Sequence, residues 1–257
     1  KNKPHFSLLK QTIDEEFIKR GGVGSYSEYG IIPSSCIKLN NKIALFTIGF
    51  DSRNKSIFHV SSGLVYLYSK LKLIKHLPGP VLDRTPQDSC FSSSPCVFKK
   101  NKSLKILYTS SSKFGQIDND KYHHYYTIKM RESKSEFNIP NNSIELIGPK
   151  NSNEYAIARP ALIYIEKKYY LFYCKRKTKI SDDYMIFCRE SDELKEFPKK
   201  EDYFIDIEGI NDKNFIDCQC YPYIFKYGRF LIMFFNGKFY GRSGFRIAYC
   251  ELKNFGN

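Results

Sequence analysis

Arg159-Pro160-Ala161-Leu162-Ile163-Tyr164-Ile165-Glu166-Lys167-Lys168-Tyr169-Tyr170-Leu171-Phe172-Tyr173-Cys174 reads as two apolar strands joined by a short charged turn. Branched and aromatic side chains suit a pleated surface, and a Glu-Lys-Lys interruption between two such runs marks a hairpin. Three other stretches repeat this grammar. Residues 33–39 form a strand, 40–42 a turn and 43–49 the return. The same holds for 94–98, 99–103 and 104–110, and again for 221–225, 226–228 and 229–236. Pro33, Pro95, Pro160 and Pro222 mark the repeats at intervals of 62, 65 and 62 residues. Pro is tolerated where a strand begins, because its missing N–H need not join the ladder.

Each repeat carries a third strand, at 63–68, 126–130, 184–188 and 245–250, and room for a fourth. Arg131-Glu132-Ser133 and Arg189-Glu190-Ser191 follow two of these at the same offset. A fixed period of strand–turn–strand units is the signature of propeller blades. The expected blades are approximately 25–78, 79–140, 150–200 and 212–257. Residues 1–24 are the remnant of a further blade or a closing strand. The 257 residues are thus read as a single all-β domain.

Composition agrees with a strand-rich core: 20 Tyr and 21 Phe, with no Trp. The net charge of +14 is dispersed. The short runs 99–102 and 175–177 fall at expected turns, so nucleic-acid binding is not expected, although the field would attract an anion. The eight Cys include several inside apolar strands, where a free thiol behaves as a small hydrophobe. Without a signal peptide or an apolar run near ~18 residues, the expectation is a cytoplasmic protein with reduced thiols and no membrane span. The chain opens at Lys1 without Met, which leaves room for a preceding segment.

The first strand of a blade lines the channel, so the residues just before it sit at the mouth. Each repeat has an acid there: Glu28, Asp88 with Asp83 further back, Glu154 and Asp217. Gathered carboxylates are what glycosyl transfer needs, one as base or nucleophile and one held protonated as acid. Arg84 and Arg159 flank this set and could clamp an anionic substrate. Tyr221, beside Pro222, and Asn236, Tyr240 and Arg242, in a loop with three Gly, complete the candidate binding residues. Cys218-Gln219-Cys220 lacks a second thiol pair for zinc, and His123-His124 is expected in a polar loop without an evident ligand partner. No metal or cofactor is therefore expected, although a propeller channel could hold Ca²⁺. Nucleotide-binding loops and a serine-nucleophile elbow are absent.

The runs 79–85, 154–160, 219–223 and 236–245 resemble a group of glycosidase-like five-bladed propellers. That group is similar to the arabinanase, xylosidase and fructosidase superfamily and accompanies bacterial surface-polysaccharide biosynthesis genes. The resemblance runs from about Gly24 to Phe245 and implies five blades, of which four are legible. Glu28, the Asp83-Arg84 pair, Glu154 and Arg159 match that group's motifs. Asp217 stands where it has Glu, and Phe or Tyr replace its Trp. The resulting expectation is a hydrolase or transferase acting on a sugar, oligosaccharide or nucleotide sugar. Asp217 is its general acid, Asp83 or Glu28 its base or nucleophile, and Glu154 the residue that tunes them. Asp88 is an additional substrate contact. A non-catalytic sugar-binding propeller is the alternative.

Overall fold

A computed structural model describes residues 18–52, 58–118, 121–150, 154, 156–176, 183–198, 202–242 and 244–255, with backbone alone for 116–118 and 121–122. These residues form a propeller of four antiparallel sheets, each ordered along the chain. The first holds β1 (Gly30–Leu39), β2 (Lys42–Asp51), β3 (His59–Tyr68) and β4 (Leu73–His76). The second holds β5 (Phe91–Lys100), β6 (Ser103–Asp118), β7 (Lys121–Ser133) and β8 (Ser143–Ile147), which carries this blade past residue 140. The third holds β9 (Ile157–Ile165), β10 (Lys168–Arg176), β11 (Tyr184–Ser191) and β12 (Tyr203–Phe204). The fourth has β13 (Cys220–Tyr227), β14 (Phe230–Asn236) and β15 (Phe245–Glu251), and a one-turn helix α1 (Lys213–Ile216) precedes it. Residues 1–17, most of the expected remnant blade, lie outside the described residues.

The prolines mark something other than strand starts. The register shifts at Pro33/Ser35, Ser93/Cys96, Phe172/Cys174 and Cys220/Tyr223. Pro therefore sits inside each inner strand at a β-bulge, where the ladder is already interrupted and an absent N–H forfeits nothing. In β5, β9 and β13 the residue before Pro is left-handed: Ser94, Arg159 and Tyr221 each have φ 58°. In β1 the frame differs, since strand ends Leu39 and Lys100 align Pro33 with Ser94 rather than with Pro95.

Bulges also tie one blade to the next. Ser34 and Ser35 hydroxyls both donate to the Pro95 carbonyl (2.8 and 2.7 Å), and Val97 N–H donates back to Ser35 Oγ (3.2 Å). Arg159 N–H donates to Thr109 Oγ1 (3.0 Å), and Tyr221 N–H donates to Cys174 Sγ (3.0 Å). Between the sheets lie apolar layers. Ile37, Phe46, Leu64, Ile106 and Tyr108 join blades one and two. Leu107, Ile128, Leu162 and Leu171 join two and three, and Ile163, Phe172, Ile224 and Phe235 join three and four. The far side of the fourth sheet presents Phe245, Ile247 and Tyr249 to solvent.

The two Arg-Glu-Ser runs prove to be structural. Arg131 and Arg189 are both buried, at 2% exposure. Arg131 Nη2 bonds Asp88 Oδ2 (2.6 Å), and the same carboxylate accepts from Tyr108 (2.7 Å), Ser110 (2.5 Å), Ser92 (3.1 Å) and Lys129 (2.7 Å). Arg189 Nε bonds Asp202 Oδ1 (2.6 Å), which also accepts from Tyr173, while Lys175 (3.0 Å) and Lys150 (2.9 Å) hold Oδ2. The following Glu132 and Glu190 pair with Lys105 and Lys168 on the neighbouring strand. His123 and His124 lie in β7 rather than in a loop, because the β6–β7 hairpin outgrows its neighbours. Aromatic neighbours Phe58, Phe91 and Phe114 enclose His124.

Candidate functional site

The topology puts all eleven expected site residues at one end of the propeller. Inner strands start there, and β2, β6, β10 and β14 return to it. Two groups form, one between blades three and four and one on blade one.

Between blades three and four, Asp212 caps α1 by accepting from Asn214 N–H (3.0 Å), and the turn ends at Asp217. The Lys238 ammonium lies 2.7 Å from Asp217 Oδ2 and 3.9 Å from Asp183. The Asp217 hydrogen bond raises the Lys238 pKa, so the ammonium stays charged. Its own N–H is anchored on the Asn214 carbonyl (2.9 Å). A cleft of about 290 Å³ opens here, lined by Asp183, Tyr184, Cys218, Cys220, Lys238, Phe239 and Tyr240. That is close to the lower limit of ligand sites, about 300 Å³. The chain closes it with a tight turn at Phe239–Gly241. Gly241 has φ 96°, and a β-carbon there would meet Asn236 Nδ2 at 2.3 Å, so this turn requires glycine.

Arg159 and Tyr221 stand beside the cleft. The Arg159 guanidinium lies over the Tyr221 ring at 4.2 Å, and Tyr221 in turn is 6.4 Å from Tyr184. Arg176 covers the other tyrosine, 5.1 Å from its centroid. Burial pushes both phenols up, and it pushes the Cys174 thiol beneath them up to about 12. All three groups are therefore neutral. Cys218 and Cys220 share a hydrogen bond that lowers the first thiol's pKa and raises the second's.

On blade one, Asp51 and His59 face each other across the end of β2–β3. Asp51 Oδ1 lies 2.9 Å from His59 Nδ1, and Asp83 Oδ1 lies 3.3 Å from Nε2. The second contact does not form a hydrogen bond, and His59 Nε2 is buried without a hydrogen-bond partner. Asp83 remains about one-third exposed, and its Oδ1 also accepts from Arg84 N–H (2.8 Å).

Each remaining acid has its own recorded partner. Glu154 accepts from Lys150 N–H (2.8 Å) and Lys175 Nζ (3.0 Å), and Glu28 accepts from Gly24 N–H (2.8 Å). Asp88, expected to touch substrate, has no exposed surface, and five donors fill its carboxylate. Burial alone would raise its pKa, but the Lys129, Ser110, Tyr108 and Arg131 bonds outweigh burial and lower it. Asp88 thus secures the second blade. The side chains of Arg84 and Arg242 are exposed to solvent, outside the cleft.

The sequence reading passed over Asp51, His59, Lys175, Tyr184 and Lys238. Asp51 and His59 carried one usable signal, since they bracket a hairpin at positions that antiparallel pairing sets opposite each other. Nothing local distinguishes Lys238 or Lys175 among 41 basic residues. A larger hollow, about 610 Å³, lies at the opposite end beside the Lys168–Glu190 pair and contains none of the expected site residues.

The sequence matches no protein-family model and no curated protein. Solved structures do resemble the fold. A thermostable family-43 glycoside hydrolase superposes with TM-score 0.62 at 18% identity, over 85% of this chain and 70% of that one. An α-L-arabinofuranosidase from Lactobacillus brevis gives 0.62 at 12% identity, over 87% and 73%. Sucrose-6-phosphate hydrolase from Lactobacillus gasseri gives 0.56 at 16% identity, over 84% and 43%. The neighbours are five-bladed propellers of glycoside hydrolase families 43 and 32, and at these identities the likeness is one of fold.

Proposed function

We propose that this chain is a carbohydrate-binding propeller whose ligand lies in the cleft between the third and fourth blades. Tyr184, Tyr240 and Lys238 line that cleft, with Asp217 on Lys238 and the Arg159–Tyr221 stack beside Tyr184, and this arrangement carries the reading. Aromatic faces take the apolar side of a sugar ring, and fixed donors and acceptors take its hydroxyls. Asp217 is salt-bridged to an ammonium, which favours an acceptor over the proton donor expected of it. Saturable binding of a mono- or oligosaccharide, measured by calorimetry and weakened at least tenfold by Tyr240→Ala, is the expected result. No binding across pentoses, hexoses, short oligosaccharides and nucleotide sugars would overturn it.

A second reading, glycosyl transfer, draws on the Asp51–His59–Asp83 group at the same end of the molecule. A partly exposed carboxylate backed by an imidazole held on a second acid is a workable general base. Turnover of an aryl glycoside or a nucleotide sugar, lost in Asp83→Asn with ligand binding retained, would establish it. Binding without turnover would leave the first reading alone. Surface-polysaccharide metabolism, which the sequence resemblance implies, is the setting that suits either.

A further inference from the structure

Arg131 in blade two and Arg189 in blade three are neutralised internally. Arg131 has Asp88, and Arg189 has Asp202. Arg159 has no carboxylate and no side-chain hydrogen bond among the described residues. Its guanidinium is held by the Tyr221 ring at 4.2 Å. Its field acts on the Cys174 and Cys220 thiols and the Tyr221 hydroxyl, which burial or hydrogen bonding keeps neutral.

This side chain is also costly to place. Arg159 is left-handed at φ 58°, a conformation that glycine adopts without strain. Its N–H is pinned to Thr109 Oγ1, and Pro160 fixes the next φ. The stacking ring stands on a matching bulge, with Tyr221 at φ 58° and its N–H on Cys174 Sγ. Two strained backbones thus hold a planar five-donor fork in one orientation, with its bonds unspent, at the start of an inner strand.

We propose that the sugar bound at this end carries an anionic group, a carboxylate or a phosphate, and that Arg159 is the residue that binds it. A guanidinium pairs bidentately with either oxyanion, and a stacked fork gives up little freedom on doing so. Lys238, which lines the cleft, already shares its charge with Asp217 and Asp183, so Arg159 beside it has the greater capacity for a ligand. The inference rests on the carbohydrate reading above and names its substrate class.

The test compares matched pairs by calorimetry at low salt: galacturonate against galactose, and glucose 1-phosphate against glucose, with inorganic phosphate as a further probe. Arg159→Gly is the decisive variant, because glycine removes the fork and relieves the left-handed strain, so the fold is retained. Arg159→Lys keeps the charge and loses the fork. The charged member of at least one pair is expected to bind about tenfold or more tightly than its neutral partner, with the advantage shrinking at high salt. It should be lost in Arg159→Gly and mostly lost in Arg159→Lys. The uronate arm and the phosphate arm separate the two sources of the anion. Equal binding of charged and neutral sugars, or a preference that survives Arg159→Gly, overturns the proposal while the carbohydrate reading stands. Binding of inorganic phosphate that depends on Arg159, with no sugar bound, retains the anion site and overturns the carbohydrate reading. Binding of nothing in the series overturns both.

Discussion

Replacing Asp88 by Asn keeps the shape of the side chain and removes its charge, which leaves Arg131 buried at 2% exposure beside a neutral amide. Removing one partner of a buried ion pair costs about 3–5 kcal/mol, chiefly because the other charge is stranded. A domain of this size loses about 2–4 °C of melting temperature per kcal/mol, so a fall on the order of 10 °C is expected. Asp202→Asn should cost less. Asp202 is 8% rather than 0% exposed, and its Lys175 partner can turn fully to Glu154. Acid titration adds a signature. Hydrogen bonds depress both carboxyls in the folded state, from Lys129, Ser110, Tyr108 and Arg131 on Asp88 and from Tyr173, Lys150, Arg189 and Lys175 on Asp202. A depressed pKa contributes stability above the unfolded value, about 3.9, and loses it as pH falls toward the folded value. Wild type should therefore weaken from about pH 4 downward, and Asp88→Asn should show a shallower acid limb. Thermal melts by circular dichroism across pH, with Asp88→Asn/Arg131→Met as the double variant, measure all of this. The double variant should be more stable than Asp88→Asn alone, because it removes the stranded charge. An Asp88→Asn protein melting within about 2 °C of wild type, or less stable with Arg131 also removed, would refute the account of this hub.

Burial lowers the His124 pKa to about 4, and His59 and His123 nearby act in the same direction. The unfolded chain then takes up the proton first, so stability should fall by about 2 kcal/mol between pH 7 and pH 5. His124→Phe should flatten that slope in urea melts, and an unchanged slope would exclude His124 as its source. At the β9–β10 turn, Glu166 and Lys167 both sit at positive φ, 49° and 65°, where Asn-Gly is the favoured pair. Glu166→Asn/Lys167→Gly should raise the melting temperature by a few degrees, about 1 kcal/mol, and a fall would show that these side chains hold the turn in another way.

The repeated hairpins were legible because alternation and turn chemistry are local properties. Each four-residue window reports its own strand or turn, and a period of such windows implies blades. The bulges were half legible. Prolines gave their positions, yet the left-handed Ser94, Arg159 and Tyr221 before them have no signature in residue type, since a favourable choice there would be Gly or Asn. The β6–β7 extension was missed because residues 111–125 are polar, and a hairpin that projects beyond its neighbours need not alternate.

The spacing of the carboxylates drew attention to Asp88, while the equivalent anchor of the next blade came from Asp202. These two acids do the same work from different places in the chain, one before an inner strand and one before an outer strand. No offset rule selects such a pair, because a buried arginine accepts whichever carboxylate the packed sheets deliver. The order of strands within each blade follows from the sequence alone, since hydrophobic period and turn chemistry specify it. Tertiary structure decided which acids are consumed as internal counter-ions and left Arg159 stacked on Tyr221 without a carboxylate among the described residues. Charge pairing acts through space over a few ångströms, between residues well separated along the chain, such as Asp88 and Arg131, 43 positions apart.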